Sequence, residues 1–210
     1  YLQACCPILK LVREGRIGDV CYIHGYFSDL TPPDPENWRH RKEDGGGAMA
    51  AKGCYMIDAL CRFAGNPAVS AFSVETNHPQ TGIEIGHTGT ICFEGNITGQ
   101  FESNHRSIWR EEIRVVGTDG ILFIPHAVVT KTQPRRIELQ LGGKYENEPV
   151  EIEAFHFPPA DSYQLQLENM HASLFEGKQP VVALDESVSN MHVTSALRNS
   201  AISGKAEPVT

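Results

Sequence analysis

Three consecutive glycines, Gly45-Gly46-Gly47, open the run Ala48-Met49-Ala50-Ala51-Lys52-Gly53-Cys54-Tyr55-Met56-Ile57-Asp58. Its apolar residues recur at helical spacing. Glycines at a helix start leave the first N–H groups uncovered, so a ligand can approach the backbone there. Ala51 and Tyr55 are four residues apart, Lys52 and Tyr55 three, which puts them on neighbouring positions of one face. A tyrosine so placed can act as a general acid/base if something lowers its pKa. The plain structural alternative is a glycine loop before a buried helix, with Tyr55 half-buried in the core.

Around this junction the punctuation is clear. Residues 2–14 read as a helix ending at Gly15, with Pro7 in its first turns. Residues 20–28 alternate and are β-rich. Residues 31–46 hold prolines, glycines and many charges and read as a long exposed loop, which in a compact domain is often functional. The glycine-opened helix runs over 47–64 and stops at Gly65-Asn66-Pro67. Strands are expected over 69–76, 88–93 and 97–102, with a hairpin turn at Glu94-Gly95-Asn96. Further strands fall at 112–116 and 121–124, either side of a turn at 117–120, and at 127–132 and 137–141. The final third is helical, over 162–175 and over 186–202 with Asp185 as N-cap. The order helix, strand, helix, many strands, two helices defines an α+β class: a large, mostly antiparallel open sheet with helices on one face. Residues 1–210 read as a single domain. Phe72, Val74, Ile91, Phe93, Phe101, Val115 and Leu122 offer more apolar surface than one helical layer would use, so the other face is expected to self-associate.

A net charge of −8, spread rather than blocked, argues against nucleic acid and anionic membrane as partners. No apolar run reaches the ~18 residues of a membrane span. The six cysteines match no zinc spacing and are expected as reduced thiols in a cytoplasmic protein. The nine histidines are dispersed, without an H-x-x-x-H or H-E-x-x-H pair, so no metal site is expected.

The segment Trp38-Arg39 … Gly45-Gly46-Gly47 … Tyr55-Met56-Ile57-Asp58 resembles the substrate-domain signature of the glucose-fructose oxidoreductase / inositol dehydrogenase / MocA family, roughly W-R, then G-G-G-x-L-x-D-x-G-x-[HY]-x-I-D. Met49 stands for the leucine and Ala51 for the aspartate. The likeness extends over residues 11–20, from Gln100-Phe101-Glu102-Ser103 to Val116-Gly117-Thr118-Asp119-Gly120, and over 161–169 and 195–205. The tyrosine version is typical of the branch with glucose-fructose oxidoreductase, xylose dehydrogenase and dihydrodiol dehydrogenase. The family's Rossmann marks, G-x-G-x-x-G after a first strand and an E-K-P segment, do not occur here. The resemblance therefore implies the C-terminal, substrate-binding and oligomerisation half of a two-domain oxidoreductase. NAD or NADP would be bound mainly by the other half, with no cofactor-binding residue and no bound cofactor expected in this chain, which alone would be inactive. The full-length protein would act on a hydroxyl carbon of a sugar, polyol or similar small molecule, as a homodimer or larger homo-oligomer joined through the open sheet face.

By that resemblance Tyr55 is the catalytic acid/base. Free tyrosine, with a pKa near 10, is a poor base at neutral pH, and a nearby cation lowers that value. Lys52 could supply the charge or lie solvated on the surface. Substrate contacts are expected from Arg39, Lys52, Asn104 and Arg106. Arg39 can hold a hydroxyl or carboxylate, or pair with Asp44 or Glu43. Trp38 reads as a loop anchor, His105 as a solvated strand end, and Asp58 as a residue that ties the helix. Ala51 leaves two alternatives: Lys52 or a loop residue compensates for the absent carboxylate, or catalysis is lost. In the second case the domain would be a non-catalytic sugar- or partner-binding module of the same fold.

Overall fold

The computed structural model describes residues 2–32, 34–128 and 135–210, with side chains from Pro7 onward. The chain begins with α1 (Leu2–Arg13) and β1 (Val20–Leu30). The long loop contains one 3₁₀ turn, Trp38–His40. A π-helical turn, Met49–Gly53, then leads into α2 (Cys54–Ala64), which ends on Gly65 in the left-handed conformation. Next come β2 (Ala68–Asn77), β3 (Glu84–Phe93), β4 (Ile97–Asn104), β5 (Arg106–Gly117), β6 (Gly120–Pro125), β7 (Arg135–Gly142) and β8 (Val150–Phe157). The described chain closes with α3 (Ser162–Phe175), α4 (Leu184–Ser203) and the short β9 (Glu207–Pro208).

One nine-stranded sheet runs in the order β8-β7-β6-β5-β1-β4-β3-β2-β9. Every pairing is antiparallel except β1 with β4, where Tyr22 faces Thr98 and Ser28 faces Asn104. Alternation assigns the faces. Ile23, Phe27, Ile91, Phe101, Ile113, Val115, Leu122, Ile124, Ile137 and Leu139 point to one side and are buried against Met56, Ile57 and Leu60 of α2 and Leu197 of α4. Tyr22, Phe72 and Val74 point to the other side and are exposed.

This corrects the count of surplus apolar surface. Ile91, Phe93, Phe101, Val115 and Leu122 lie in the helix-side core. Only Phe72 and Val74 of that set lie on the open face. Three further corrections concern elements. Ala127 and Val128 of the expected 127–132 strand are buried loop residues, and the rest lies outside the described residues. Asp185 sits in the first turn of α4 while Ala183 is the cap, its N–H bonded to Glu186 at 3.2 Å. β8 was not anticipated. The early strands also start sooner than their alternation shows, β3 at Glu84 and β5 at Arg106.

Candidate active site

The loop and the helix start are clamped together by the glycines. Gly46 N–H bonds the carbonyl of Arg41 at 3.0 Å and Gly47 N–H that of Arg39 at 2.8 Å. A Cβ on Gly46 would lie 2.5 Å from the carbonyl oxygens of Trp38 and Arg39, so only glycine lets the 3₁₀ turn sit so close. The exposed helix start expected from the glycines is instead closed from within. Glu84 of β3 accepts the Met49 N–H at 2.9 Å, and a Cβ on Gly47, at φ +117°, would lie 2.7 Å from that carboxylate. Burial pushes the Glu84 carboxyl up to about 7, with Glu75 adding to the rise and the helix N–H groups opposing it. The glycine triplet is therefore a structural clamp, and it offers no cradle for a dinucleotide.

The clamp aims Arg39 over a cavity of about 360 Å³ walled by Phe27, Ala51, Tyr55, Trp109 and Tyr163, with Asp29, Thr31, Lys52 and His105 at its polar end. Phe27 is the hub of the aromatic wall, 6.0 Å from the Tyr55 ring and 5.8 Å from Trp109. Asp161 caps α3 by accepting the Tyr163 N–H at 3.0 Å, which fixes Ser162 and Tyr163 opposite. Arg39 stacks on Trp38 at 5.0 Å and has no carboxylate partner among the described residues; Arg41 is the arginine that pairs with Asp44.

Tyr55 is half-exposed and reaches this cavity. Burial raises its pKa, Cys54 and Tyr163 add to the rise, and Arg39 partly offsets it. Lys52 does not tune it. The π-turn swings Lys52 beneath the helix, where the side chain is buried and its ammonium spends its three N–H groups on Asp29 Oδ1 at 2.7 Å, the Asn104 carbonyl at 3.1 Å and His105 Nδ1. Burial lowers the Lys52 pKa while Asp29 opposes the fall. Partial burial pushes Asp29 upward, but its bonds from Lys52 and Thr31 win and hold the carboxyl below its ordinary range.

Of the expected substrate contacts, then, Arg39 and Lys52 join Tyr55 at one cavity. Asn104 and Arg106 do not; only the Asn104 backbone carbonyl meets the network, through Lys52. Their side chains line a different hollow with Val74, Thr76 and Glu102. His105 is not a solvated strand end but 5% exposed, and burial lowers its pKa. Asp58 ties α2 as expected, binding Arg62 at 2.9 Å and Asn190 of α4 at 2.9 Å. A larger cavity of about 570 Å³ lies there between α2 and α4, but Asp58, Arg62, Glu186 and Asn190 in its wall satisfy one another. The residue missed from sequence is Asp29. Ile23, Gly25, Phe27 and Asp29 share the buried side of β1, and a carboxylate ending such a row is the signal that marks it.

The tyrosine and the arginine thus meet at one aromatic-walled cavity of an α+β domain built on an open, mostly antiparallel sheet. Residues 8–123, more than half of the chain, match the GFO/IDH/MocA C-terminal domain, and the chain belongs to that family. It is 27% identical over 204 residues to D-xylose 1-dehydrogenase (NADP(+)) 2 of Haloferax volcanii, covering 95% of this chain and 60% of that protein. It is 26% identical over 203 residues to 1,5-anhydro-D-fructose reductase of Ensifer adhaerens, covering 94% and 58%. The fold is also that of the aldose-aldose oxidoreductase from Caulobacter crescentus solved with glycerol, with a TM-score of 0.81 and 24% identity over 95% of this chain and 58% of that one. The chain thus spans about three-fifths of the length of the relatives it matches.

Proposed function

We propose that this chain is the substrate-holding domain of an NAD(P)-dependent oxidoreductase acting on a hydroxyl carbon of a sugar, polyol or similar small molecule, with Tyr55 as acid/base. The observation that carries the reading is the convergence of the Tyr55 phenol and the unpaired Arg39 guanidinium on one aromatic-walled cavity. The relatives named as an NADP-dependent xylose dehydrogenase and an anhydrofructose reductase support the substrate class. The nicotinamide, which supplies hydride chemistry, would be held by residues outside this chain, since the glycine triplet is filled by its own loop and by Glu84. This chain's part is the proton. The raised pKa keeps Tyr55 protonated at neutral pH, which favours proton donation to a carbonyl oxygen as the carbon is reduced. Arg39 holds a neighbouring oxygen, and Trp109 and Tyr163 cover the sugar's apolar face.

In the full-length protein Tyr55→Phe is expected to lower kcat by about 10²–10⁴-fold with a small change in KM, because the proton is needed only as the oxyanion develops. Near-normal turnover would reduce Tyr55 to a structural role. A second reading, a non-catalytic sugar- or partner-binding module, is favoured by the methyl group of Ala51 in the cavity wall. It predicts sugar binding without NAD(P)-linked turnover by the full-length protein.

A further inference from the structure

Asp29 is the only carboxylate among the described residues lining the Tyr55 cavity. It stands near the end of β1 where the register with β5 slips: Ser28 faces Arg110 but Leu30 faces Arg106. Such irregularities re-aim side chains and recur beside active sites. All of its bonds converge on one oxygen. Oδ1 accepts from Lys52 at 2.7 Å and from the Thr31 hydroxyl, while His105 Nδ1, which accepts from the same ammonium, lies 3.4 Å away. Oδ2 takes none among the described residues, and the side chain is 26% exposed. A buried lysine with all three N–H groups engaged is an expensive brace for a residue with only a structural task. What it maintains is an ionised carboxylate, with one oxygen unbonded among the described residues, in an aromatic cavity that Arg39 also lines. That is the equipment for a vicinal diol: hydroxyl groups donate to the carboxylate and accept from the guanidinium.

We propose that Asp29 is a substrate-binding residue, accepting hydrogen bonds from the hydroxyl groups of a polyhydroxylated substrate, and that Lys52, Thr31 and His105 are its positioning residues. The proposal rests on the reading that this cavity holds a sugar or polyol. It makes Asp29 a specificity determinant: substrates lacking a donor hydroxyl at the matching carbon lose the contact. It also supplies a carboxylate to a cavity in which position 51 contributes only a methyl group.

The test uses calorimetric titration of this chain, and steady-state kinetics of the full-length protein, with D-xylose and its mono-deoxy analogues. Asp29→Asn is expected to weaken D-xylose at least tenfold, whereas one deoxy analogue binds variant and wild type alike, because it has already lost the hydroxyl that Asp29 holds. Should Asp29→Asn fail to fold, Thr31→Val removes one hydrogen bond to the carboxylate and is expected to show the same analogue dependence at smaller amplitude. Lys52→Met provides the pH readout. Without the ammonium the Asp29 carboxyl rises, so D-xylose affinity is expected to fall as pH drops through the raised value. His105, His40, Arg39, Tyr55 and Glu84 are other titratable or charged groups near that end, and the pH dependence should vanish in Lys52→Met/Asp29→Asn. Wild-type binding with an unchanged analogue profile in Asp29→Asn overturns the role of Asp29 while leaving the cavity's sugar reading intact. If wild type neither binds nor turns over D-xylose, D-glucose or glycerol, the sugar reading fails and the proposal goes with it.

Discussion

At the residue scale, the cavity assigns its two cations opposite duties. Lys52 is saturated by its three acceptors and has nothing left for Tyr55 or for substrate, while Arg39 is uncommitted and is the cation that acts on the phenol. The sequence places Lys52 three residues before Tyr55 and invites the reverse assignment, because that spacing faces two side chains together only in a regular α-helix. The π-turn over Met49–Gly53 removes that premise. Two expectations follow for the full-length protein under the proposed function. Arg39→Met should move the alkaline limb of the pH–rate profile upward, since it removes the charge that offsets the burial of Tyr55. Lys52→Met should leave that limb in place and instead destabilise the fold, by about 3 kcal/mol, because it strands a partly buried carboxylate. A profile that shifts with Lys52 rather than with Arg39 would falsify this assignment.

At the element scale, β3 carries two titratable groups beneath the helix layer whose effects on stability oppose each other. Burial raises Glu84 from its ordinary 4.5 to about 7, and burial lowers His87 from 6.5 to about 4; Glu75 and Arg198 act on both. The signs follow from which state holds more protons. For Glu84 the folded state does so between about 4.5 and 7, so its contribution is fully present below that window and is lost as pH rises through it. For His87 the unfolded state does so between about 4 and 6.5, so its contribution is present above that window and is lost as pH falls. The two nearly cancel over their shared range. Glu84→Gln, whose amide oxygen still accepts the Met49 N–H, should unmask a stability that climbs with pH from 4 to 6.5 in chemical denaturation. His87→Phe, which keeps the stack on Phe101, should unmask a decline from 4.5 to 7. Parallel profiles in the two variants would contradict the opposition. The strands themselves were readable where one face is consistently apolar, as in Ile91 and Phe93 of β3 or Ile113 and Val115 of β5. β8 was not, because its apolar residues change sides midway: Val150 and Ile152 face solvent, whereas Phe155 and Phe157 pack on the core. A period of two cannot register such a strand. The Glu84 cap was hidden for another reason, since 35 residues separate it from the N–H it serves.

At the scale of the whole molecule, two surfaces lack partners among the described residues. On α3 and α4, Tyr163, Leu167, Met170 and Leu174 form one exposed stripe at helical spacing, and Leu184, Val188 and Met191 form another. The open side of the sheet differs in kind. It carries Tyr22, Phe72 and Val74 among threonines, with Arg110 stacked on Tyr26 at 3.7 Å and Arg114 on Phe123 at 4.6 Å. Aromatic and arginine side chains held rigidly on a flat, pre-formed surface are what interface centres favour, because little side-chain entropy remains to be lost on association. The helical stripes offer flexible Leu and Met side chains and little fixed polarity. Self-association is therefore expected through the sheet, although the apolar excess read from the sequence lies mostly in the core. In sedimentation velocity, Tyr22→Glu with Phe72→Glu should convert the associated species to monomer, by placing like charges across a two-fold contact. Leu167→Lys with Met170→Lys on α3 should leave it associated. A monomer at every concentration before mutation, or dissociation by the α3 pair alone, would remove the sheet face from this role and pass it to the helices.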